Sequence, residues 1–327
     1  MKRIAVLTSG GDAPGMNAAI RAVTRTAIDK GWDVFGVKNG FLGLVTGEMM
    51  QLGARDVGGI IQKGGTFLGS ARCEEFKTSE GQRKALRELN KRDIDALIVI
   101  GGNGSQTGCY ELQKLDFPVV GVASTIDNDL YGSDITIGVD TALNIALEAI
   151  DRLKVTASSH QRAFMIEVMG RKCGYLALMS GIAGGAEAII IPEADKSPDE
   201  IADILLAAYE RGKAHSIIVV AEGAKQDPDE IAKHINDKYG HIGFTIRTTR
   251  LGHVQRGGQP TPRDRWLATR FGSAAVELVA QERWGHMVAL QGTQMVTIPL
   301  EDAVRMKMVD PEGDMVQMAR DLGISFG

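Results

Sequence analysis

The sequence predicts an α/β protein of two domains with mainly parallel sheets. Short, continuously apolar runs alternate with helical patterns, as where residues 4–7 precede apolar residues recurring at helical spacing over 16–27. Such runs separated by helices are typical of a parallel sheet covered on both faces. The 327 residues suit two domains, since one domain usually takes about 100–200 residues. Forty residues are glycine, about 12% against a usual ~7%, so their positions need explaining.

The elements follow one another in two similar series. In the first series, apolar strands are predicted at residues 4–7, 34–37, 96–100 and 118–122, with a charged helix over 80–90. The second series predicts strands at 163–167, 188–191 and 216–220, a glycine-broken helix after the first of them, and acidic-start helices near 198–210 and 229–235. No Ser/Pro-rich linker separates the two series. This predicts either close packing of the domains or a chain that crosses between them more than once.

Composition excludes several classes of protein. A net charge of −4 and 5% aromatic residues do not fit a nucleic-acid-binding surface. The three cysteines are scattered and never form a Cys-x-x-Cys pair, which fits a reducing cytosol and predicts neither a disulfide framework nor a zinc site. The sequence shows no signal-peptide pattern and no apolar run of the ~20 residues that a membrane span needs. We therefore expect no nucleic-acid and no membrane partner.

Two glycine-rich segments lie where a strand passes into a helix. They read Thr-Ser-Gly-Gly-Asp-Ala-Pro-Gly-Met-Asn at residues 8–17 and Gly-Gly-Asn-Gly-Ser-Gln-Thr-Gly at 101–108. Glycines at the carboxyl edge of a sheet let backbone N–H groups approach a phosphate, and the following helix N-terminus favours negative charge. Two such loops in one sheet indicate an extended polyanion such as a nucleotide.

The kind of nucleotide site can be narrowed. No Gly-x-x-x-x-Gly-Lys-[Ser/Thr] motif occurs, which excludes a P-loop enzyme. Gly102, Gly104 and Gly108 only approximate a dinucleotide fingerprint, because the third glycine comes one residue late and Val122 stands where an acidic residue is expected. A nicotinamide-dependent oxidoreductase is therefore the more remote alternative.

A third junction, at residues 121–129, adds carboxylates. It places Asp127 and Asp129 beside Thr125, and a carboxylate near a transferring phosphate can deprotonate the attacking hydroxyl or hold magnesium. The second half of the chain supplies arginines, whose planar fork suits phosphate, at Arg162, Arg171, Arg247 and Arg256. These residues predict a phosphoryl-transfer enzyme that acts on a phosphorylated small molecule.

Five motifs together resemble those of the bacterial ATP-dependent 6-phosphofructokinases. They are residues 8–17, Thr-Ile-Asp-Asn-Asp at 125–129, Met-Gly-Arg at 169–171, Ala-Glu-Gly at 221–223 and Leu-Gly-His-Val-Gln-Arg-Gly-Gly at 251–258. They stand in the family's order over nearly the whole chain, and the second and fifth are highly specific.

The resemblance implies the architecture and the reaction. It implies two Rossmann-like, three-layer α/β/α domains with the chain crossing between them. The larger, nucleotide-binding domain would take 1–138 plus about 255–305, and the smaller, fructose 6-phosphate-binding domain 139–254 plus about 306–327. It further implies a glycolytic, cytoplasmic, allosteric homotetramer that uses Mg²⁺ and transfers the ATP γ-phosphoryl group to the 1-hydroxyl of fructose 6-phosphate.

The resemblance also assigns roles to residues. Asp127 would be the general base, supported by Thr125 and Asp129, while Arg171 and Arg72 would stabilise the moving phosphoryl group. ATP would be bound by Gly11, Arg72, Cys73, Gly102, Asn103, Gly104, Ser105 and Gly108. The sugar phosphate would be bound by Thr125, Ile126, Asp127, Met169, Gly170, Arg171, Glu222, His253, Val254, Gln255 and Arg256, with Arg162 and Arg247 reaching it from a neighbouring subunit. An effector would be bound by Arg21, Arg25, Lys154, Gly185, Glu187, Arg211 and Lys213.

The chain departs from the family's pattern at position 103. Members usually carry an aspartate there that serves magnesium, whereas Asn103 offers only a neutral carbonyl oxygen. Loss of one charge near a cation can weaken the interaction by up to ~4 kcal/mol per cationic charge at an effective dielectric of 20. We expect attenuated or differently metal-dependent catalysis, which leaves a weakly active or regulatory paralogue as an alternative.

Two further departures concern the phosphoryl donor and the effector. Ser124 replaces the usual glycine, but pyrophosphate-using relatives usually carry aspartate at position 104 and lysine at 124, and this chain has Gly104 and Ser124. ATP is therefore favoured, with a pyrophosphate-dependent enzyme as an alternative. At the site that the resemblance assigns to the effectors ADP and phosphoenolpyruvate, Lys154 and Ala214 replace an arginine and a lysine. Because lysine lacks the bidentate fork of arginine, we expect weakened effector control.

Overall fold

The computed structural model describes residues 2–240 and 242–326, which form two compact α/β units. Unit 1 contains the chain up to Thr141 together with Arg256–Lys307, and unit 2 contains Ala142–Gln255 together with the chain from Met308 onward. The chain therefore passes between the units three times, once inside a long helix.

Unit 1 is built on a seven-stranded sheet with the strand order β11-β10-β5-β4-β1-β2-β3. Its strands are β1 (Arg3–Ser9), β2 (Asp33–Val37), β3 (Met49–Gln51), β4 (Ala96–Gly101), β5 (Val119–Ala123), β10 (His286–Gln291) and β11 (Gln294–Pro299). Its helices are α1 (Met16–Asp29), α2 (Phe41–Thr46), α3 (Ser79–Asn90), α4 (Asn103–Gln113), α9 (Pro262–Ala280) and α10 (Leu300–Ala303), with a 3₁₀ helix at Glu75–Lys77. β3 and β11 run antiparallel to their neighbours and the other pairs are parallel.

The sheet register brings the glycine junctions together. β4 and β5 are buried along their whole length, as expected for apolar strands covered on both faces. β4 lies between β1 and β5, with Ser9 paired to Gly101 and Gly101 paired to Ala123. The carboxyl ends of these three central strands therefore lie side by side at one edge of the sheet.

Unit 2 contains a five-stranded sheet with the order β12-β7-β8-β6-β9, in which every pair is parallel. Its strands are β6 (Arg162–Val168), β7 (Ala188–Ile190), β8 (Ser216–Ala221), β9 (Thr245–Arg250) and β12 (Ser325–Phe326). Its helices are α5 (Val139–His160, which begins in unit 1), α6 (Tyr175–Ala183), α7 (Pro198–Glu210), α8 (Pro228–Tyr239) and α11 (Asp314–Asp321), with a 3₁₀ helix at Gly252–Gln255.

Local sequence signals explain where the helices of unit 2 begin. Ser197 and Glu200 form a reciprocal capping box at the start of α7, and Asp227 caps α8, with a proline in the first turn of each helix. Such caps satisfy N–H groups that have no acceptor within the helix. The apolar faces of α7 and α8 then pack on β6, β7 and β8 through a core that includes Ile201, Leu205, Ile231 and Ile235.

The prediction of two α/β domains with mainly parallel sheets is confirmed. The strands that the sequence pattern missed are β3, β9, β10, β11 and β12. β9 reads Thr-Ile-Arg-Thr-Thr-Arg and has exposed side chains, since it is the last strand at one edge of its sheet. Among the described residues no helix is long and apolar enough to cross a membrane.

Candidate active site

The two glycine loops of unit 1 are in contact through Ser105. A Cβ on Gly101 would lie 2.4 Å from Ser105 Oγ and 2.5 Å from the carbonyl oxygen of Ser9, so only glycine allows this approach. Gly10 has φ +82 and also faces Ser105 Oγ. The Ser105 side chain is buried, and its hydroxyl has no hydrogen-bond partner within the described part of the chain. A buried hydroxyl between two glycine loops can donate to an anion bound there.

Helix α4 begins at this edge of the sheet. Gly102 precedes the first helical residue in an extended conformation, and the N–H groups of a first turn have no acceptor within their helix. Around Gly104 the space is open, since a Cβ would meet no atom within 4 Å. Helix α4 therefore offers backbone donors and the positive end of its dipole to a phosphate chain.

The side chain of Asn103 is engaged within unit 1. Its Nδ2 atom donates a hydrogen bond of 2.9 Å to the carbonyl oxygen of Val304, just after α10. A carbonyl oxygen can only accept, so the amide nitrogen must face Val304, and Oδ1 is the one atom of this side chain that could face a cation.

The turn after β5 carries the paired carboxylates. Asp127 N–H donates to Thr125 Oγ1 at 3.2 Å, and the Thr125 carbonyl accepts from Thr136 Oγ1 at 2.6 Å. Asn128 takes a left-handed conformation with φ 53 and is wholly buried, and its Nδ2 donates to the carbonyl oxygen of Asp134. These bonds fix the backbone around Asp127 and Asp129, each of which keeps one carboxylate oxygen buried.

A loop over residues 63–73 borders the first glycine loop and carries Arg72 and Cys73. Asn17 anchors it by donating to the carbonyl oxygens of Lys63 and Gly64 and by accepting from Phe67 N–H at 2.6 Å. Ser70 Oγ donates to the Gly10 carbonyl at 2.6 Å. The bonds hold the loop beside Gly10, with Arg72 exposed and Cys73 half-buried.

In unit 2 the end of β6 forms a tightly held loop. Glu222 N–H donates to Val168, and Gly223 N–H donates to Gly170. A Cβ on Gly223 would lie only 1.9 Å from the carbonyl oxygen of Arg171. The backbone of the Met-Gly-Arg loop is thus fixed while the Arg171 side chain stays 79% exposed, its Nε 4.0 Å from Glu222. This arrangement presents a guanidinium group to a ligand without leaving the loop free to move.

Charged residues flank this loop. Arg250 forms ion pairs with Asp227 and Asp229 and lies 3.7 Å from Glu167. Burial raises the pKa of Glu167 despite the Arg250 guanidinium nearby. The remaining predicted acceptor-side residues of unit 2 are accessible to differing degrees: Arg162 is half-buried, while Arg247, His253 and Val254 are exposed.

Several predicted nucleotide- and substrate-binding residues are buried, among them Ser105, Met169, Gly170 and the three that follow. Gln255 is wholly buried; its Oε1 accepts from Met169 N–H at 2.7 Å and its Nε2 donates to the Ala142 carbonyl. Ile126 is also wholly buried. A Cβ on Gly108 would lie 2.6 Å from the Phe41 ring. These last three positions support the surrounding structure, and only their backbones remain to meet a ligand.

The structure places Arg256 against the first glycine loop of unit 1. Its Nη1 atom donates to the Asp12 carbonyl at 3.0 Å, and a Cβ on Gly11 would lie 2.5 Å from Nη1. Arg256 was predicted to bind the sugar phosphate. Its guanidinium also contributes positive charge beside the glycines assigned to the donor.

The predicted effector residues divide between the units. Arg21 and Arg25 lie in unit 1, where Arg25 donates to the Ala54 carbonyl. In unit 2, Glu187 is buried and accepts from Lys213 Nζ at 2.6 Å, from Ser216 Oγ and from Ile217 N–H. Lys154 Nζ would lie 3.5 Å from a Cβ on Gly185, and Arg211 is exposed.

The oxygen ligands available for magnesium are few. The described residues contain no group of three or more His, Cys, Asp or Glu side chains placed to hold a metal ion. Mg²⁺ is commonly held by one or two carboxylates together with substrate phosphates, rather than by a cage of protein ligands. The carboxylates of Asp127 and Asp129, beside an anion cradle, fit that mode of binding.

The sequence reasoning missed several residues that hold the site together. Asn17 and Ser70 anchor the loop over 63–73, and Lys307 donates from Nζ to the carbonyl oxygens of Ser133 and Asp134. Asn17 belongs to the first glycine motif and could have been singled out as a polar residue on an apolar helix. For Lys307 no sequence signal exists, because its partners are backbone atoms 173 and 174 positions away.

The comparisons with known proteins agree with one another. The family model described as Phosphofructokinase matches residues 3–279. The "ATP-dependent 6-phosphofructokinase" of Listeria monocytogenes is 52% identical over 94% of this chain and 95% of the relative. That of Shouchella clausii is 49% identical over 99% of this chain and all of the relative.

Solved structures show the same fold. Phosphofructokinase from Saccharomyces cerevisiae has a TM-score of 0.86 at 39% identity, covering 99% of this chain and 47% of that chain, so this chain spans about half the length of the yeast chain. A pyrophosphate-dependent phosphofructokinase from Marinobacter aquaeolei has a TM-score of 0.85 at 23% identity, with coverage of 99% and 92%.

Proposed function

The chain belongs to the phosphofructokinase family, and from this premise we propose that it is a glycolytic kinase that transfers the γ-phosphoryl group of ATP to the 1-hydroxyl of fructose 6-phosphate. The products are fructose 1,6-bisphosphate and ADP. The observation that carries the proposal is the single sheet edge of unit 1, where two glycine loops and the Asp127 turn follow three adjacent strands. Phosphoryl transfer needs such positioning of a polyanion beside a carboxylate.

Unit 1 supplies the donor site and the base. The open space at Gly104 and the start of α4 receive the phosphate chain of ATP, and Ser105 Oγ donates to it. Arg72 and Cys73 lie on the bordering loop that Asn17 and Ser70 hold in place. Asp127 removes the proton from the attacking hydroxyl, and Thr125 and Asp129 keep its turn in position.

Unit 2 supplies most of the acceptor site. Arg171 stabilises the charge of the moving phosphoryl group, and Met169, Gly170, Glu222 and His253 bind the sugar phosphate. Arg162 and Arg247 bind its phosphate group from a neighbouring subunit of a homotetramer, and the enzyme works in the cytoplasm. The name of the relatives of similar length, ATP-dependent 6-phosphofructokinase, supports fructose 6-phosphate as the acceptor.

Magnesium fits the carboxylates of Asp127 and Asp129 together with the donor phosphates. When bound, it neutralises charge that develops on the phosphoryl group and leaving oxygen. The donor is ATP because the start of α4 is open at Gly104, where no atom lies within 4 Å of a built Cβ, and the relatives at 49–52% identity carry ATP in their names.

A coupled assay tests the proposal. Fructose 6-phosphate is offered with ATP, ADP or pyrophosphate as the phosphoryl donor. We expect turnover with ATP and none with ADP or pyrophosphate. Asp127→Asn should lower kcat by about 10²–10⁴-fold, the usual contribution of a general base. Turnover with pyrophosphate instead would establish the other donor. Binding of both substrates without turnover would show a regulatory paralogue.

A further inference from the structure

A four-residue segment links the donor loop to the Asp127 turn. We call this segment, residues 304–307, the strap. At one end the Val304 carbonyl accepts from Asn103 Nδ2 at 2.9 Å. At the other end Lys307 N–H donates to the Asp129 carbonyl at 2.8 Å. Between them Met306 forms an antiparallel bridge with Leu130.

The strap is held firmly on the side of the carboxylates. Besides its backbone bond to Asp129, Lys307 reaches the carbonyl oxygens of Ser133 and Asp134 with Nζ, at 2.8 and 3.1 Å. These bonds attach the strap to the turn that carries Asp127 and Asp129. On the side of the donor loop, the N–H groups of Val304 and Arg305 donate to carbonyl oxygens of α10, and the side chain of Asn103 supplies the bond between the strap and α4.

Only a hydrogen-bond donor at position 103 can make this bond. An aspartate in the same place would be acceptor-only when ionised, and its oxygen would face the Val304 carbonyl oxygen. The pair of acceptors would repel each other and break the tie between the strap and α4. The observed bond therefore requires a hydrogen-bond donor at position 103, which the amide of Asn103 supplies.

We propose that Asn103 is a positioning residue, which acts through the strap to set the Asp127–Asp129 turn relative to the donor loop. The inference rests on the proposed function, because it concerns the alignment of the base with the phosphoryl donor. It also reverses the expectation drawn from the sequence, in which the missing carboxylate at position 103 weakens metal binding. In this chain the carboxylates for the metal come from the Asp127 turn, and Asn103 holds that turn in place.

The two accounts of position 103 predict opposite results for Asn103→Asp. If Asn103 acts as a weak metal ligand, the substitution supplies a better one, because hard cations prefer carboxylate oxygens. Turnover and metal affinity should then rise. If Asn103 holds the strap, the substitution breaks the tie, and kcat should fall by roughly tenfold, the size expected when a partly buried hydrogen bond is replaced by an unfavourable contact.

The experiment uses the full chain with three single variants. Asn103→Asp and Asn103→Ala break the tie at one end of the strap, and Lys307→Met removes the Nζ bonds at the other end. Thr107→Ala is the matched control, because Thr107 lies one turn along α4 and its hydroxyl donates to the Asn103 carbonyl within the helix. Circular dichroism confirms that each variant is folded.

The first measurement is hydrogen exchange of the amides of residues 304–307 without ligands. We expect exchange about tenfold faster in both Asn103 variants and in Lys307→Met, and unchanged in Thr107→Ala, since opening free energies set exchange protection. In the double variant Asn103→Ala/Lys307→Met, the increase in exchange rate should be smaller than the product of the two single increases, because both substitutions loosen the same segment. Unchanged exchange in the Asn103 variants would overturn the proposal.

The second measurement is Mn²⁺ binding to the enzyme with a non-hydrolysable ATP analogue, followed by electron paramagnetic resonance. We expect Asn103→Asp to bind Mn²⁺ no more tightly than wild type, and to lose kcat while KM for fructose 6-phosphate is kept. Tighter Mn²⁺ binding or faster turnover would refute the positioning role. If the wild type showed no kinase activity but the exchange effect persisted, the proposed function would fail while the strap's structural role stood.

Discussion

The guanidinium group of Arg256 lies directly against Gly11, with Nη1 bonded to the Asp12 carbonyl at 3.0 Å. A side chain at Gly11 would have to displace this guanidinium, since a Cβ would come within 2.5 Å of Nη1 and 2.8 Å of Cζ. The two family motifs at residues 8–17 and 251–258 thus meet in unit 1, although 244 positions separate Arg256 from Asp12.

Gly11→Ala should displace Arg256 and reduce kcat/KM by at least about tenfold. A hydrogen bond to a charged group contributes about 1.5–3 kcal/mol, and the displaced guanidinium no longer faces the phosphates. Steady-state kinetics measure the loss. Gly53→Ala is the control, because Gly53 is exposed and its Cβ would meet its nearest neighbour at 3.4 Å. Equal activity of Gly11→Ala and wild type would mean that the contact has no role in turnover.

Cys73 should be the cysteine that alkylating reagents modify in the native protein. It is half-buried, whereas Cys109 and Cys173 are buried, and burial raises the pKa of the Cys109 thiol far above its ordinary value. Because the thiolate is the reactive form, Cys109 should stay unmodified. Peptide mapping after treatment with iodoacetamide measures this selectivity.

ATP should slow the modification of Cys73, because the bordering loop that carries this residue belongs to the proposed donor site. Fructose 6-phosphate alone should give no protection, which provides the control. Labelling at the same rate with and without saturating ATP would place the nucleotide away from this loop.

The sequence predicted the fold and the chemistry because both follow from local patterns. An apolar strand or a glycine junction can be recognised from a stretch of about ten residues. Parallel pairing then places the carboxyl ends of the strands together. It did not predict β9, whose polar residues fit an edge strand, or the partners of Asn103 and Lys307. Those bonds join a side chain to backbone carbonyls far along the chain. Because every residue has a backbone carbonyl, the sequence does not indicate which one accepts the bond.

Ser124 should lower stability through its buried hydroxyl. The residue is wholly buried, and Oγ has no hydrogen-bond partner within the described residues. An unsatisfied buried polar group costs about 1–3 kcal/mol, so Ser124→Ala should raise the free energy of unfolding by about 1 kcal/mol.

Ser133 provides the matched control for Ser124. It is equally buried, but its Oγ donates to the Ile135 carbonyl and accepts from Leu290 N–H. Ser133→Ala should lower the free energy of unfolding by about 1–3 kcal/mol, since it leaves a buried N–H unsatisfied. Urea denaturation compares the two variants. A loss of stability in Ser124→Ala as large as that in Ser133→Ala would show that the Ser124 hydroxyl is satisfied.

Activation by ADP should be weak in this chain. Lys213, one of the predicted effector residues, already pairs with the buried carboxylate of Glu187 at 2.6 Å. Lys154 and Ala214 replace an arginine and a lysine of the family's pattern, which removes one charge and one bidentate contact for a phosphate. Saturation curves for fructose 6-phosphate with and without ADP measure the effect.

The double variant Lys154→Arg/Ala214→Lys should strengthen activation by ADP and leave kcat at saturating substrate unchanged. Steep activation of the wild type at low substrate concentration would contradict weakened effector control.

Asp264 should make stability fall as pH rises above about 4. The carboxylate is wholly buried at the start of α9 and accepts from Gly138 N–H, Thr141 N–H and Thr141 Oγ1. Burial raises the pKa of Asp264 above its ordinary value of 3.8, against the lowering effect of these hydrogen bonds. Between the unfolded and folded pKa the native state holds more protons than the unfolded state, so its stability declines as pH rises through that range.

Asp264→Asn turns an acceptor into a donor facing other donors and should destabilise the fold by about 2–4 kcal/mol. That loss of stability should be largest below pH 4 and shrink as pH rises, because only the wild type must ionise a buried group.

Asp199 is the control whose pKa is shifted in the opposite direction. Hydrogen bonds from Lys238 and His234 lower its pKa to about 2. The effect of Asp199→Asn should therefore grow as pH rises from about 2 to 4. Urea denaturation between pH 3 and 7 compares the two slopes, and slopes of the same sign would contradict the assignment of Asp264 as a buried carboxyl with a raised pKa.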